Sequence, residues 1–341
     1  MVRLLIVSDA WHPQVNGVVR SLDTVGQTLA ARGYEVLYLT PETFWTVPLP
    51  TYPEIRVSMP SLRGVQEFID KFNPHHIHIA TEGPLGLAAR GYCVTRELAF
   101  TTSYHTRFPE YVAARLPVPV EWSYGYLRWF HAAASVTMVP TTSVLRDLRR
   151  KFFRHLAIWS RGVDLKAFSP GPKAMFAGLP GPHLLYVGRV AVEKNIEAFL
   201  ELDHPGTKIV VGDGPQRAAL ADRHRDVVFT GKLTGSALRD AYRSADVLVF
   251  PSRTDTFGNV MLEAMACGTP VAAYPVMGPI DVLAREQGGA LDEDLGAAVR
   301  RALPIPRSEA LARARQFTWD AAADQFARRL APVRRQIAHV A

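Results

Sequence analysis

Asp255 and Glu263 are two carboxylates eight positions apart, on either side of a turn that contains glycine. The run from Phe250 to Val271 reads as strand end, polar loop, helix and second strand. Val247 to Phe250 is the strand, the helix opens at Gly258 and stops at Gly268, and Val271 starts the next strand. The first amides of a helix lack an intrahelical acceptor and sit at the positive end of its dipole. The amides of Phe257, Gly258, Asn259 and Val260 are therefore expected to receive a phosphate anion. Such a loop would grip a diphosphate by its amides and set one carboxylate on each side of it. Arg189 and Lys194 lie five apart in Tyr186-Val-Gly-Arg-Val-Ala-Val-Glu-Lys-Asn195, where another strand gives way to a helix. Arginine offers a bidentate fork and lysine a mobile point charge, a pair suited to a diphosphate. Two ordinary surface cations are the alternative, and the companion loop tips the reading toward phosphate.

Further chemistry-bearing residues also fall at strand ends. Asp9 to Val18 joins the first strand to the first helix, with Asn16 and Gly17 where a ligand could approach the backbone closely. A plain capping turn is the competing reading there. The pattern is not G-x-G-x-x-G, which argues against a dehydrogenase. Ser103-Tyr-His-Thr-Arg-Phe-Pro109 follows another strand and puts His105 at its mouth. Val211-Gly-Asp-Gly-Pro215 is a tight turn that would either wall a site or serve structure alone. His75, His76 and His78 alternate with isoleucines and have no cysteine or carboxylate at ligand spacing, so they read as structural rather than metal-binding.

These loops need a scaffold, and the chain supplies an alternation of strands and helices. Strands are expected at Leu4 to Ser8, Glu35 to Leu39, Ile77 to Ala80, Phe100 to Tyr104 and Ser135 to Val139, with a helix from Gly17 to Arg32. An irregular Pro- and Gly-containing stretch from Arg161 to Pro172 reads as a linker. The pattern then restarts with strands at His183 to Val187, Lys208 to Val211, Val227 to Thr230, Val247 to Phe250 and Val271 to Tyr274, and a helix from Asn195 to Leu202. Alternation of this kind gives parallel sheets covered on both faces. Two doubly wound α/β domains are expected, 1–165 and 166–318, with ligands beyond the C-terminal strand ends and a cleft between the domains as the site. The last helix, near Trp319 to Arg335, is expected to cross back onto the first domain.

The 341 residues suit two domains, and 48% hydrophobic content can build real cores. Cys93 and Cys267 are too few for a disulfide framework and read as small buried apolar residues. No stretch approaches the roughly 18 apolar residues of a membrane span. The opening residues read as a buried strand rather than a signal peptide, so a cytoplasmic location is expected. The net charge of +7 points to an anionic partner. Arg146, Arg149, Arg150, Lys151, Arg154 and His155 cluster around Phe152 and Phe153, with Trp159 just beyond. Arg328, Arg329, Arg334 and Arg335 form a second cluster. Basic residues mixed with aromatics suit a bilayer headgroup region, and a solvated helix face is the alternative.

Taken together, these motifs resemble the retaining, nucleotide-sugar-dependent glycosyltransferases of family four. The resemblance rests on the Asn16-Gly17 loop, Ser103 to Thr106, Val187-Gly-Arg189 with Lys194, Gly212-Asp-Gly-Pro215, Phe250 to Pro270 and Phe317-Thr-Trp319. It implies a GT-B fold, two Rossmann-like domains facing a cleft. The family's pair of glutamates stands here as Asp255 and Glu263, so the first side chain is one carbon shorter. By resemblance, Arg189 and Lys194 neutralise the diphosphate and Glu263 binds the ribose hydroxyls. Asp255 meets the donor sugar, helped by the amides of Phe257 to Val260. Gly17, with Asn16, approaches the diphosphate. Gly188 belongs to the same donor site, Lys232 lies near the base, and His105 meets the donor sugar or the acceptor hydroxyl. No D-x-D motif stands at the right place, so metal independence is expected, with no cofactor beyond the donor substrate. Within the family the chain looks most like the glycolipid-forming subgroup of sulfoquinovosyl-, glucosyl- and glucuronosyl-diacylglycerol synthases and related mannosyltransferases. That implies a UDP-sugar in preference to GDP-mannose, and a lipid acceptor such as diacylglycerol. It also implies peripheral attachment to an anionic membrane at the cytoplasmic face, with no nucleic acid partner. The stretch from Pro109 to Phe130, with Arg115 and Arg128, is where such an acceptor would enter. A mannosyltransferase or polysaccharide glycosyltransferase is the first alternative. A nucleotide-sugar epimerase and a non-catalytic nucleotide-binding protein are further ones.

Overall fold

The structure is a computed structural model that describes residues 1–12, 17–49, 52–113 and 119–333. The chain divides into two units: Met1–Ser160 together with the chain from Trp319 onward, and Arg161–Thr318.

The first unit runs β1 (Val2–Val7), α1 (Gly17–Ala30), β2 (Tyr34–Leu39), β3 (Thr46–Leu49), β4 (Tyr52–Ser58), α2 (Leu62–Phe72), β5 (His76–Ile79), α3 (Pro84–Thr95), β6 (Thr101–Ser103), α4 (Phe108–Ala113), α5 (Val120–Ala132), β7 (Val136–Val139), α6 (Thr142–Arg150) and β8 (Leu156–Ile158). Its six-stranded sheet is ordered β2-β1-β5-β6-β7-β8, and every pairing is parallel. Leu4, Leu5, Ile6 and Val7 are wholly buried, as a central strand covered on both faces requires. Helix α1 buries Val19, Leu22, Val25 and Leu29, a helical stripe at three- and four-residue spacing. Caps fix other boundaries. The Ser61 hydroxyl accepts from the Gly64 amide at 3.0 Å to start α2, and Asn73 ends it with φ of +48°.

The second unit runs β9 (His183–Val187), α7 (Glu197–Leu200), β10 (Thr207–Val211), α8 (Arg217–Arg223), β11 (Val228–Gly231), α9 (Gly235–Ser244), β12 (Val247–Phe250), α10 (Asn259–Ala266), β13 (Val271–Ala273), α11 (Pro279–Val282), β14 (Gly289–Leu291), α12 (Leu295–Ala302) and α13 (Arg307–Ala314). Its sheet is ordered β11-β10-β9-β12-β13-β14, again all parallel. The closing helix α14 (Trp319–Arg329) belongs to the first unit. There Ala323 and Phe326 join Leu22, Val25 and Leu29 of α1 in one core cluster. Arg32 holds Asp320 and Asp324, each at 2.6 Å. Cys93 and Cys267 are both buried free thiols.

Several details depart from the sequence expectation, among them the edge strands β8 and β14, which complete each sheet and were not expected. Strands β3 and β4 pair antiparallel outside the main sheet. The helix expected over 195–202 is a 3-10 turn at Val192–Lys194 followed by the short α7, because Asn195 adopts φ of +52° and breaks the helical run. The stretch from Arg161 to Pro172 is irregular but not loose. Val163 donates to the Phe317 carbonyl at 3.1 Å, and Val163 and Phe168 lie in the second unit's core. Helix α14 stops at Arg329, and Arg334 and Arg335 lie outside the described residues.

Candidate functional site

In the second unit the chain builds outward from β9 on one side and returns at β12 on the other. The loops leaving these two strands therefore diverge at the sheet's C-terminal edge, the usual ligand position in open α/β sheets. The expected phosphate residues come from these two loops. Lys194 Nζ and Asp255 Oδ1 form an ion pair at 2.5 Å, with side chains 24% and 17% exposed. Two more bonds tie the loops together. Asn195 Nδ2 donates to the Pro251 carbonyl at 3.1 Å, and Thr254 Oγ1 donates to the Glu193 carbonyl at 3.1 Å. The left-handed turn at Asn195, which shortened the helix, is thus part of the device that presents Lys194. Arg189 lies half-buried in the β9 loop, and its carbonyl accepts from the Tyr186 hydroxyl at 2.6 Å.

Glycines let neighbouring loops pack backbone on backbone. Gly188 donates to the Val211 carbonyl at 3.0 Å, Gly212 to Gly231 at 2.9 Å and Val190 to Asp213 at 2.9 Å. A Cβ on Gly212 would stand 1.8 Å from the Gly188 carbonyl oxygen. The Gly212-Asp-Gly-Pro215 turn therefore stitches the ends of β9, β10 and β11 into one rim. Lys232 is exposed just beyond β11. Gly258 caps α10 with φ of +86°, and Phe257 beside it is buried. Asn259 and Val260 open that helix.

Glu263 stands in the second turn of α10 and is only 4% exposed. Its Oε2 accepts from the Tyr242 hydroxyl of α9 at 2.8 Å. Tyr242 orients this carboxylate, and sequence reasoning did not single it out, because only packing of α9 on α10 brings the two together.

In the first unit, His105 lies just past β6, with Nε2 2.7 Å from Ser103 Oγ. Gly17 is the first residue of α1, and Asn16 lies outside the described residues. The topological switch of this sheet falls between β1 and β5, and it is filled by the protein itself. Asp9, missed from sequence, accepts from the amides of Leu85 at 2.8 Å and Gly86 at 3.1 Å, and from Thr81 Oγ1 at 2.9 Å. Burial pushes its carboxyl above the usual range, against the pull of those amides. The first turn of α3 is thus already capped by an internal anion. Glu82, also missed, has its Oε1 3.1 Å from His131 Nε2, and its carbonyl accepts from the Tyr126 hydroxyl at 2.6 Å. A carboxylate three residues past a strand was the only available signal for it.

The three histidines around β5 all lie against other protein groups. His75 Nδ1 accepts from the Arg3 amide at 2.8 Å, His76 Nδ1 is 2.8 Å from the Ala331 carbonyl, and His78 is wholly buried. Among the described residues, no group of three His, Cys, Asp or Glu is placed to hold a metal ion.

Known proteins match this arrangement over both units. Residues 181–303 fit the model of glycosyl transferases group 1, and residues 15–167 fit that of glycosyltransferase family 4. A GDP-mannose-dependent alpha-mannosyltransferase of Mycobacterium tuberculosis is 30% identical over 85% of this chain and 83% of its own length. The chain belongs to the family-four glycosyltransferases. The transferase is also 30% identical to the sulfoquinovosyl transferase SQD2 of Arabidopsis thaliana, over 84% of this chain and 62% of that one. It is 26% identical to an alpha-monoglucosyldiacylglycerol synthase of Streptococcus pneumoniae, over 89% and 78%. Among solved structures, a sucrose-phosphate synthase from Thermosynechococcus elongatus superposes with a TM-score of 0.79 at 22% identity, covering 96% of this chain and 98% of that one. The HepE protein of Anabaena, solved with UDP and glucose, superposes with a TM-score of 0.71 at 15% identity, covering 96% and 99%. The fold of the transferase is GT-B, built from two Rossmann-like parallel-sheet domains.

Proposed function

We propose that the transferase moves a hexose or hexuronic acid from a nucleoside diphosphate sugar to the hydroxyl of a membrane lipid, with retention of configuration and without a metal ion. The Lys194–Asp255 pair across the switch of the second sheet carries this reading. Cleavage of a sugar–phosphate bond builds negative charge on the departing diphosphate and positive charge on the sugar carbon. An ammonium has three donors, so Lys194 can keep Asp255 and still bond a phosphate oxygen. Arg189 and the amides from Phe257 to Val260 add preorganised positive charge, which is the work a magnesium ion would otherwise do. Asp255 then lies beside the sugar end of the donor, Glu263 at the ribose, and Gly188 and Lys232 along the nucleotide; by resemblance, Gly17 meets the diphosphate and His105 the sugar or acceptor.

Glu263→Gln is expected to raise the dissociation constant for the donor by about tenfold while changing turnover less, because a hydrogen bond to a charged group is worth about 1.5–3 kcal/mol. Titration calorimetry with the nucleotide sugar measures it; unchanged affinity would remove this carboxylate from the ribose.

The lipid acceptor is supported by the surface of the first unit. Trp122, Tyr126 and Trp129 recur along α5 at helical spacing, and Trp122 is 74% exposed. Phe152 is 81% exposed among the exposed Arg146, Arg149, Arg150 and Arg154. The other two aromatics of that cluster, Phe153 and Trp159, are core residues. The two patches adjoin, since Arg128 of α5 reaches the Lys151 carbonyl at 3.4 Å and Lys151 Nζ lies 4.8 Å from the Tyr124 ring centroid. Exposed aromatics beside arginines suit an anionic bilayer surface. No helix among the described residues is long and apolar enough to cross a membrane. The protein is expected to sediment with vesicles containing phosphatidylglycerol at low salt, and a Trp122→Ser/Trp129→Ser variant to remain largely in the supernatant. Equal recovery of both proteins in the supernatant would remove the membrane from the account.

For the donor, UDP-glucose and UDP-sulfoquinovose represent the first reading. GDP-mannose is the second, supported by three relatives that are 28–31% identical over 85–97% of this chain and are described as GDP-mannose-dependent. Incubation of each donor with diacylglycerol vesicles tests the proposal. A new glycolipid with release of nucleoside diphosphate is expected from one of them. A donor whose sugar is changed but not transferred would point to an epimerase instead.

A further inference from the structure

Ser103 stands between two imidazoles. Its Oγ is 3.1 Å from His78 Nε2 and 2.7 Å from His105 Nε2. The second nitrogen of His78 is also engaged, with Nδ1 3.0 Å from Thr101 Oγ1. His78, Thr101 and Ser103 are at most 1% exposed, while His105 is half-buried at the strand end. Sheet register explains the contact. His78 pairs with Thr101 across β5 and β6, and Thr101 and Ser103, two apart on one strand, project to the same face. Trp159 braces both rings, edge to face, at 6.0 Å from His78 and 5.6 Å from His105, and Phe326 closes on His78 at 4.7 Å. A chain of polar groups therefore runs from the core of the first unit to the residue assigned to the sugar or acceptor.

Core packing does not call for such a chain. A buried imidazole costs stability unless it is hydrogen-bonded, and an apolar ring would fill the space between Trp159 and Phe326 without that cost. What the chain does supply is a constraint. The Ser103 hydroxyl has one proton, and the Ala80 carbonyl, 3.4 Å away, also competes for it. At most one of the two imidazoles can accept that proton, so the other must present an N–H. The tautomer of His105 is thereby linked to that of His78, and its ring is held by the hydrogen bond on one edge and by Trp159.

We propose that Ser103 and His78 are positioning residues that set the ring orientation and tautomer of His105. The role rests on the reading of His105 as the residue that meets the donor sugar or acceptor hydroxyl, and it adds two residues that touch neither.

The test joins imidazole 15N spectra of the ligand-free protein to a double-mutant cycle, assayed with GDP-mannose and UDP-glucose over diacylglycerol vesicles. In Ser103→Ala the imidazole signals of both His78 and His105 are expected to move, and His78→Gln is expected to move those of His105. Ser103→Ala should lower kcat by about tenfold with KM for the donor within about twofold, by analogy with the roughly 10–100-fold lost when the group orienting a metal-bound histidine is removed. On a His105→Ala background the same change should cost less than about twofold, since coupled residues are not additive. Unmoved His105 signals in both variants, or equal losses on both backgrounds, would overturn the proposal. A slowed His105→Ala beside an unaffected Ser103→Ala would sink the positioning role alone. Wild-type turnover in His105→Ala would sink the assignment of His105 as well.

Discussion

Lys194→Ala is expected to lower kcat by about 10²–10³-fold, the loss that follows removal of one preorganised group from a developing oxyanion, about 3 kcal/mol. The pairing makes the effect more than a missing contact. Asp255, 17% exposed on its side chain, would lose its 2.5 Å partner and present a bare carboxylate to the incoming diphosphate. Donor affinity should therefore fall together with turnover. Lys194→Ala/Asp255→Asn should bind donor more tightly than Lys194→Ala, because the repulsion is gone, yet remain slow, because the cation is still missing. Steady-state kinetics of the two variants checks both statements. Wild-type turnover in Lys194→Ala would take this residue out of the phosphate site.

Gly212→Ala is expected to lower the stability of the second unit by about 3 kcal/mol, the upper end of what overpacking costs. The added methyl would sit 1.8 Å from the Gly188 carbonyl oxygen, a backbone atom that cannot rotate away. The rim that joins β9, β10 and β11 must then open, and the Arg189 to Lys194 loop moves with it. All six tryptophans lie in the first unit, so their fluorescence reports on that unit. Circular dichroism, which sees both units, should show an earlier denaturant transition in Gly212→Ala, while the tryptophan midpoint shifts much less. Coincident, unshifted transitions would show that the close approach carries no such strain.

Much of this was legible because period and punctuation agreed. The buried run Leu4 to Val7, the strand at His183 to Val187 and the Gly258 to Gly268 helix all read directly from apolar runs bounded by glycine or polar residues. The pairing of Lys194 with Asp255 was not legible, although both were singled out. Their 61-residue separation is closed only by the placing of β9 beside β12. Asn195 reads in the sequence as the start of a helix, because asparagine favours both the N-cap and the left-handed turn and its type alone does not choose between them. Asp9 shows the converse. A carboxylate after the first strand invites a ligand reading, yet it caps α3 from inside. Tyr242, Glu82 and Ser103 acquire meaning only from a neighbour far along the chain, whereas the exposed Trp122 and Phe152 differ from the buried Phe153 and Trp159 solely by which side of a helix or turn they occupy.

In the proposed mechanism side chains and amides, not a dissolved cation, receive the charge of the departing diphosphate. Release of nucleoside diphosphate from the productive donor, followed in the presence of lipid acceptor with and without excess EDTA, tests this most directly. Equal rates in both reactions are the predicted result. Abolished release in EDTA, restored by added magnesium or manganese, would contradict it.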